Sequence, residues 1–366
     1  MDLLHSWGVS LAVYLQTEYH HYESWFHLAS TVADLHATFF FFFPIWFYLN
    51  RNVGIKLIWV AVIGDWFNLI LKWVLFGERP YWWVHETKFY GSGVVPSLKQ
   101  FPITCETGPG SPSGHAMGSA GVGYVMITAM LSMAAQRKPS NLIYSCTVRG
   151  LFFFLILNCR SLQLVLLALF GMVELVICMS RVYMAAHFPH QVMSGVIAGI
   201  LVAETFSRVQ WIYTASLKKY MSMTLFLLTF AVGFYVLLKA VGVDLLWTLE
   251  KAQRWCVNPA WVHMDSTPFA SLLRNMGTLF GLGLALHSTL YTESKMNSTV
   301  PFKTSCISIS LLLLWFLDAL TFSSKNEILF YLLSFCKSAL APLIPTMLVP
   351  GGFLWLFHNN KNEKNL

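Results

Sequence analysis

Charged residues are scarce in this chain of 366 residues, because Asp, Glu, Lys and Arg together make up 11% of it. A soluble domain carries about 25%. Too few charges are present to cover the surfaces of the soluble domains that this length would otherwise predict. The Lys and Arg residues stand singly rather than in clusters, so the net charge of +7 does not indicate nucleic-acid binding.

Three further absences narrow the class of protein. Residues 1–25 contain no Lys or Arg, so the basic start of a cleavable signal peptide is missing. The seven cysteines, an odd number without paired spacing, predict neither a disulfide framework nor a zinc site, and we expect each to be a small buried apolar residue. No carboxylate cluster suited to magnesium accompanies the basic motifs described below, which favours chemistry without a metal or another cofactor.

Apolar residues, by contrast, make up 56% of the chain, and its 29 Phe, 14 Trp and 14 Tyr residues require burial. A helix needs about 20 apolar residues to cross a bilayer. The sequence therefore predicts an all-α polytopic integral membrane protein with about nine transmembrane helices, folded as a single unit over residues 1–366. The expected spans are Phe26–Tyr48, Leu57–Phe76, Ala116–Met133, one crossing within Leu142–Met179, Val192–Phe206, Met223–Val241, Phe269–Leu290, Ile307–Leu320 and Ile328–Val349.

The loops between these spans also predict an orientation. Those on the side opposite the N-terminus carry more Lys and Arg, so that side is expected to be cytoplasmic. The N-terminus is then luminal or extracellular, and nine crossings place the C-terminal tail, residues 351–366, in the cytoplasm. Before the first span, Trp7, Leu11, Tyr14 and Leu15 have the spacing of a helix on the membrane surface, although a flexible N-terminus explains this segment equally well.

The first chemically suggestive motif joins Lys72 to Arg79. The two residues are two helical turns apart and therefore project from one face near a helix end. Pro80 favours an extended conformation for Arg79. Lys72 alone would be explained by a side chain that reaches from the span to the interface.

The second motif is a glycine-rich turn, Gly108–His115, that leads into a helix rich in small residues. Backbone N–H groups at a helix N-terminus favour an anion. Ser113 adds a hydroxyl donor, and His115 is placed to give or accept a proton. A glycine-rich loop that merely packs closely against a helix is the alternative.

The third motif, Ser180–Gln191, places Arg181, His187 and His190 between two spans. Interfacial residues that face water would explain their polarity but not the recurrence of Arg and His at a third helix end. In the predicted topology all three motifs lie on the same side of the membrane. Three cations, a helix N-terminus and two imidazoles describe a phosphate site, where one histidine attacks phosphorus and the other protonates the leaving oxygen.

The pattern Lys-x6-Arg-Pro, Pro-Ser-Gly-His and Ser-Arg-x5-His resembles the type 2 phosphatidic acid phosphatase superfamily. Within it, Lys72–Trp83, Cys105–Met117 and Ala185–Val192 are similar to the glucose-6-phosphatase family. The resemblance implies a helical phosphatase core at residues 26–210, followed by additional helices at 221–350. It also implies hydrolysis of glucose 6-phosphate through a phosphohistidine, at an active site that faces the lumen of the endoplasmic reticulum, and functional coupling to a glucose 6-phosphate transporter.

The resemblance assigns roles to individual residues. His187 matches the nucleophile and His115 the general acid. Phosphate-binding roles fall on Lys72, Arg79, Arg181, Ser113 and Gly114.

Two departures from the family pattern raise further expectations. Gln191 stands where the superfamily usually has an acidic residue, so Gln191 and Asp34 become candidates for an orienting or structural role, with Asp65 as a competitor of Asp34. The stretch Leu142–Met179 is longer than one span. Two crossings there would separate His187 from His115, so a single crossing at Leu162–Met179 is expected.

The residues left over from that stretch, Gly150–Arg160, are then a surface or re-entrant segment or an extension of the helix. The glycosylation sequon at Asn297 falls in an expected cytoplasmic loop and should be unused.

Three other functions remain open at this stage. A close paralogue with weak or altered activity would carry the same motifs. A phosphatase of the same superfamily could act on lipid phosphates. A membrane protein that only binds phosphate would be non-enzymatic, although two imidazoles beside three cations favour an enzyme.

Overall fold

The computed structural model describes residues 1–91, 93–136, 159–245, 247–263, 267–294, 299–321 and 326–355. Within these ranges the regular elements are all helices. The α-helices are α1 Asp2–Glu18, α2 Glu23–Val32, α3 Leu35–Ala37, α4 Phe43–Leu49, α5 Arg51–Leu75, α6 Pro80–Glu86, α7 Gly114–Gln136, α8 Cys159–Tyr183, α9 Pro189–Ser207, α10 Leu217–Ala240, α11 Trp247–Trp255, α12 Pro268–Leu286, α13 Thr289–Ser294, α14 Val300–Ala319 and α15 Glu327–Leu343.

Seven helical stretches of the described chain are long and apolar enough to cross a membrane, and a bent pair, His20–Val32 with Leu35–Leu49, makes up to eight. The outer helices expose apolar side chains, among them Leu175 on α8 and Phe226 on α10, as expected of a surface that faces lipid. The chain is thus an all-helical, multi-pass membrane protein. The count of nine is not confirmed, because α9, which corresponds to the expected span Val192–Phe206, is not among these stretches.

Several expectations concern residues that the structure does not describe. The greater part of the segment Gly150–Arg160, two residues of the glycosylation sequon and the C-terminal residues 356–366 lie outside the described ranges. The single crossing expected after α7 corresponds to α8. Ser119, near the start of α7, bonds to Glu174, in the second half of α8, so the two helices run in opposite directions. A single crossing between the second and third motifs requires this arrangement.

The N-terminal segment is a docked helix, so the alternative of a flexible N-terminus is wrong for residues 2–18. The face of α1 that carries Val9, Ala12 and Leu15 is buried. Gln16 donates to the carbonyl oxygen of Tyr183 over 2.6 Å. Trp7 lies on the opposite, exposed face.

The first span is bent by 58° between residues 32 and 35. Asp34 lies at the break in an extended conformation, and its carboxylate accepts the backbone N–H of His36 over 2.8 Å. A carboxylate in this position caps the helix that follows. The bend brings Asp34 towards the N-terminus of α7, where His115 lies.

Helix α5 lies at the centre of the molecule and packs against α7, α9 and α12. Its Trp59 donates its indole N–H to the hydroxyl of Tyr220 over 3.2 Å, and Trp66 donates to the carbonyl oxygen of Leu227 over 3.0 Å. Both acceptors belong to α10. These bonds satisfy polar groups at membrane depth, where no water is available to do so.

Two helix pairs approach each other through glycines. A methyl group added at Gly199 of α9 would lie 2.1 Å from the carbonyl oxygen of Met117 on α7. At Gly281 of α12 it would lie 2.1 Å from the carbonyl oxygen of Ala339 on α15. Small residues allow such close backbone contact between membrane helices, so these glycines fix the spacing of both pairs.

Replacing Gly281 with Ala should therefore destabilise the protein by about 1–3 kcal/mol, because the added methyl group forces α12 away from α15. Gly233→Ala is the matched control, since a methyl group there has open space around it and Ala favours a helix. Thermal unfolding in detergent measures both variants. A Gly281→Ala protein as stable as the Gly233→Ala protein would contradict the close contact.

Candidate active site

Two fully buried arginines form the centre of the site. Arg79 is the extended residue before α6, as Pro80 predicts, and Arg181 lies in the last turn of α8. Arg79 donates from Nε to the carbonyl oxygen of Gly108 over 2.9 Å and from Nη1 to that of Ala186 over 3.2 Å. These bonds hold its guanidinium between the glycine-rich loop and the turn that follows α8.

Glu106 bridges the two guanidinium groups. Its Oε2 lies 3.2 Å from Nη1 of Arg79, and its Oε1 lies 2.7 Å from Nη2 of Arg181. Burial alone would raise the pKa of Glu106, but the charges of Arg181 and Arg79 hold that pKa well below its ordinary value. Glu106 is therefore a carboxylate that partners both arginines.

Besides these bonds, each arginine has one nitrogen that finds no hydrogen-bond partner among the described residues. Arg181 also donates from Nη1 to the hydroxyl of Ser30 over 2.8 Å. The two nitrogens, Nη2 of Arg79 and Nε of Arg181, are buried without a hydrogen-bond partner in the part of the chain that the structure describes. The same holds for Oγ of Ser113, Nε2 of His187 and Nε2 of His115. Buried polar atoms are normally satisfied, so five orphan atoms in neighbouring residues indicate a binding site for a polar group.

The glycine-rich loop passes between these side chains. Gly108 has a positive φ of 106°, a conformation that glycine adopts without strain. The N–H of Ser113 donates to the carbonyl oxygen of Gln191 over 3.0 Å, which anchors the loop to α9. Gly114 begins α7, so the first N–H groups of that helix lie at the site, where an anion is favoured.

His187 is held by a backbone carbonyl. Its Nδ1 lies 2.8 Å from the carbonyl oxygen of Gly110, and this acceptor assigns the ring proton to Nδ1 and leaves a lone pair on Nε2. Burial and the charges of Arg79 and Arg181 lower the pKa of His187 well below its ordinary value. The ring is neutral at neutral pH, with Nε2 free to act as a nucleophile.

His115 lies between two carboxylates at the start of α7. Its Nε2 is 3.6 Å from Oδ2 of Asp34, and its Nδ1 is 3.8 Å from Oε1 of Glu106. The two carboxylates flank the ring and orient it at the start of α7, where it is placed to give or accept a proton.

Gln191, a candidate for orienting the nucleophile, lies elsewhere in the hydrogen-bond network. Its amide nitrogen donates to the carbonyl oxygen of Glu78 over 2.7 Å, and its amide oxygen accepts the N–H of Phe188 over 3.0 Å. The side chain thus ties α9 to the residue before Arg79. The carbonyl oxygen of Gly110 takes the ring contact that the expectation gave to Gln191.

The expectation that every cysteine is an isolated apolar residue is wrong for two of them. Cys105 and Cys256 form a disulfide that joins the loop residue next to Glu106 to the end of α11. In the same region Lys251 of α11 pairs with Glu78 over 3.0 Å and with Glu86 over 2.8 Å. The C-terminal part of the chain is thereby fastened to the loops that carry Arg79 and Glu106.

Sequence reasoning missed Glu106 and the disulfide for the same reason. The pairing partner of each is distant in sequence: 75 residues separate Glu106 from Arg181, and 151 separate Cys105 from Cys256. One local signal was available for Glu106: it is an acidic residue next to the glycine-rich turn, in a chain that has few charged residues.

A cavity of about 640 Å³ leads to the site. Lys72, Glu106, Gly114 and His115 are among the residues that line it. The expected residues Lys72, Arg79, Ser113, Gly114, His115, Arg181 and His187 are therefore all part of one neighbourhood, with the arginines and His187 fully buried behind Glu106 and His115. Among the described residues, no three or more His, Cys, Asp or Glu side chains are grouped as metal ligands would be.

Comparison with known proteins identifies the family of the chain. Residues 53–215, which include all seven of these residues, match the PAP2 superfamily. Glucose-6-phosphatase catalytic subunit 1 of Haplochromis nubilus is 64% identical, with 100% of both chains covered. The protein of the same name from Felis catus is 56% identical over 96% of this chain and 95% of its own.

Glucose-6-phosphatase 2 of Mus musculus is 48% identical over 96% of both chains. No solved structure matches the chain.

The disulfide predicts a large effect on stability. The double variant Cys105→Ser with Cys256→Ser should lose about 2–4 kcal/mol, since a long loop is no longer closed in the unfolded chain. Cys336→Ser, at an exposed free cysteine, is the control. Thermal unfolding with and without reductant measures the difference; if reductant lowered the midpoint of the double variant as much as that of the unmodified protein, the pairing would be refuted.

Proposed function

The chain belongs to the family of glucose-6-phosphatase catalytic subunits, and from that membership we propose that it hydrolyses glucose 6-phosphate to glucose and inorganic phosphate. One observation carries the proposal beyond family membership. Five buried polar atoms on residues around Glu106 have no hydrogen-bond partner within the described ranges. Three of them belong to Arg79, Arg181 and Ser113, whose donors suit phosphate oxygens.

In the proposed complex, the phosphate is held from three directions. Nη2 of Arg79 and Nε of Arg181 donate to its oxygens, while the hydroxyl of Ser113 and the N–H of Gly114 donate from the start of α7. Lys72 adds a third positive charge at the wall of the cavity. Hydrolysis of a phosphate monoester is among the slowest uncatalysed reactions, so this arrangement must stabilise negative charge on the transferring group.

The first chemical step is an in-line attack. Nε2 of His187 forms a bond to phosphorus while the bond from phosphorus to the sugar oxygen breaks. His115 gives its proton to that oxygen, so glucose leaves as a neutral alcohol. The neutral tautomer fixed by the carbonyl oxygen of Gly110 supports this role for His187.

The second step returns the enzyme to its starting state. Water attacks phosphorus of the phosphohistidine, His115 now takes a proton from the water, and the bond from phosphorus to Nε2 breaks. Inorganic phosphate is released, and His187 is again a neutral imidazole. Asp34 and Glu106, on either side of His115, act as positioning residues that orient its ring.

The membrane arrangement is part of the proposal. The active site faces the lumen of the endoplasmic reticulum, with the N-terminus luminal, the C-terminus cytoplasmic and a transporter delivering the substrate. The Cys105–Cys256 disulfide supports this orientation because it lies beside the site, and disulfides persist in oxidising compartments. The balance of Lys and Arg between the loops points in the same direction.

Sequence identity disfavours the first alternative, a close paralogue. The chain is more similar to catalytic subunit 1 of Haplochromis nubilus and of Felis catus than to glucose-6-phosphatase 2 of Mus musculus. A lipid phosphate substrate is disfavoured because the relatives that match nearly the whole chain are named as glucose-6-phosphatases. A phosphate-binding protein without activity would have no use for a neutral histidine whose Nε2 has no partner among the described residues, beside a second histidine.

The decisive experiment compares two histidines three residues apart. His187→Ala should lower phosphate release from glucose 6-phosphate by roughly a thousandfold or more, because the nucleophile is lost. His190→Ala should retain activity, since that ring stacks on Phe188 and His5. Permeabilised microsomes are assayed with glucose 6-phosphate and with a lipid phosphate.

The unmodified protein should also yield an alkali-stable phosphoenzyme that His187→Ala lacks. Release from the lipid phosphate alone would support the lipid phosphatase, and release from neither substrate would support a binding protein.

Glu106→Gln tests the bridging carboxylate. It should lower kcat/KM by about 10²–10³, because the two arginines lose their common partner. Because the charge of Glu106 raises the pKa of His187 against the opposing effects of burial and the arginines, removing it should also move the acidic limb of the pH profile to lower pH.

Ionisation of the substrate affects the pH profiles of both enzymes equally, so the difference between the profiles reports on the enzyme alone. Glu204→Gln is the control and should leave both quantities unchanged. Its partly exposed carboxylate pairs with Arg208 and accepts the hydroxyl of Tyr124, which an amide oxygen also accepts. An unchanged kcat/KM, or a limb displaced to higher pH, would refute the role of Glu106.

A further inference from the structure

A second polar cluster lies deeper in the membrane-spanning part of the chain. Asp65 lies within α5, and its Oδ2 accepts two hydrogen bonds from α12: one from the hydroxyl of Ser271 and one from Nδ2 of Asn275 over 2.5 Å. A carboxylate within a membrane span is costly and therefore points to a function. The phosphate chemistry described above does not use it.

Helix packing alone does not explain this cluster. A carboxylate that only joined α5 to α12 would be enclosed by the two helices, whereas Asp65 is partly exposed and lines the same cavity as Glu106 and His115. Both of its donors bond to one oxygen. The other oxygen, Oδ1, receives no hydrogen bond from the described residues, so the carboxylate still has acceptor capacity that faces the cavity.

The spacing along α5 relates this cluster to the phosphate site. Asp65 and Lys72 lie two helical turns apart on one face, which corresponds to about 10 Å along the axis. Asn68, between them, donates from Nδ2 to the carbonyl oxygen of Pro112 in the glycine-rich loop over 3.2 Å. A hexose monophosphate with its phosphate near Lys72 would therefore extend its ring towards Asp65.

We propose that Asp65, held by Ser271 and Asn275, is the acceptor that binds ring hydroxyls of the hexose. This inference rests on the proposed function and assigns the sugar-binding part of the same site. Asp65 accepts hydrogen bonds from the hydroxyls, while Ser271 and Asn275 fix the orientation of its carboxylate. Trp261, in the segment after the disulfide, lines the cavity and contributes an apolar wall.

The position of these residues in the chain agrees with a role in specificity. The superfamily match ends at residue 215, so Ser271 and Asn275 lie in the part of the chain that the superfamily as a whole does not share. Phosphate binding comes from the shared part. A subsite that selects one class of leaving group is expected to need residues outside it, and here Ser271 and Asn275, which hold Asp65, are such residues.

The proposal makes a clear demand on substrate selectivity. A site built to hydrogen-bond a substrate hydroxyl strongly rejects an analogue that lacks it, because the buried polar group is then left unpaired. Losing Asp65 should therefore harm the hexose substrate and spare a phosphate ester without ring hydroxyls. A merely structural Asp65 would affect both substrates alike.

The test is kcat/KM of Asp65→Asn for glucose 6-phosphate and for p-nitrophenyl phosphate. We expect a loss of about tenfold or more with the sugar ester, mainly in KM, and little change with the aryl ester. Inhibition by free glucose should weaken in parallel, which reports on the subsite without any phosphate. Glu204→Gln is the matched control, because it removes a carboxylate that pairs with Arg208 at the end of α9.

Ser271→Ala, which keeps the carboxylate but removes one of its donors, is the milder second variant, should Asp65→Asn fold poorly. It should show the same selective loss to a smaller extent. Deoxyglucose 6-phosphates then locate the contact: the analogue that lacks the bound hydroxyl should be hydrolysed equally by the unmodified enzyme and by Asp65→Asn.

Equal losses with both esters, or no loss with either, would overturn the subsite while leaving the proposed function intact. If the unmodified protein released phosphate from neither ester, the proposed function itself would fail.

Discussion

The bridge from Glu106 to Arg79 and Arg181 is the interaction on which the rest of the site depends. Two fully buried guanidinium groups cannot remain unpaired, because moving a charge out of water costs several kcal/mol. One carboxylate partners both, yet three cations including Lys72 outnumber it. The site therefore keeps an excess of positive charge for an anion, and the arginines are already oriented before that anion arrives.

The carbonyl oxygen of Gly110 keeps the nucleophile, His187, in its neutral form. A carboxylate next to Nδ1 would favour a charged imidazole, which cannot attack phosphorus. A neutral carbonyl fixes the same tautomer without that charge, and the neighbouring arginines lower the pKa of His187 further. Positive charge that develops on the ring during attack is then balanced by the phosphoryl oxygens themselves. Gln191, free of the ring, serves to fasten α9 to the loop before Arg79.

The sequence predicts those parts of the fold and the site whose pattern lies within a short stretch of the chain. Apolar runs mark the spans, and the basic residues and histidines at their ends mark the site, because each of these patterns is complete within a few residues. The number of spans was harder, since α9 combines polar ends with an apolar middle. Glu106, Gly110 and the disulfide act through partners that only the fold brings together, and a lone carboxylate, a backbone carbonyl or a single cysteine has no distinctive pattern in the sequence.

The C-terminal helices gain their importance from the way they are attached. Neither Ser271 nor Asn275 can select a substrate unless α12 keeps a fixed distance from α5, and helices in a membrane are not pressed together by the hydrophobic effect. Here the hydrogen bonds from Ser271 and Asn275 to Asp65 join α12 to α5 directly. Three attachments support this pair: the disulfide, the pairing of Lys251 with Glu78 and Glu86, and the close contact of α12 with α15 at Gly281. Two of these three attachments end beside Arg79 or Glu106. The elements that hold the polar cluster on α12 thus also brace the phosphate site, so a change in the C-terminal part of the chain can reach the chemistry without touching a catalytic residue.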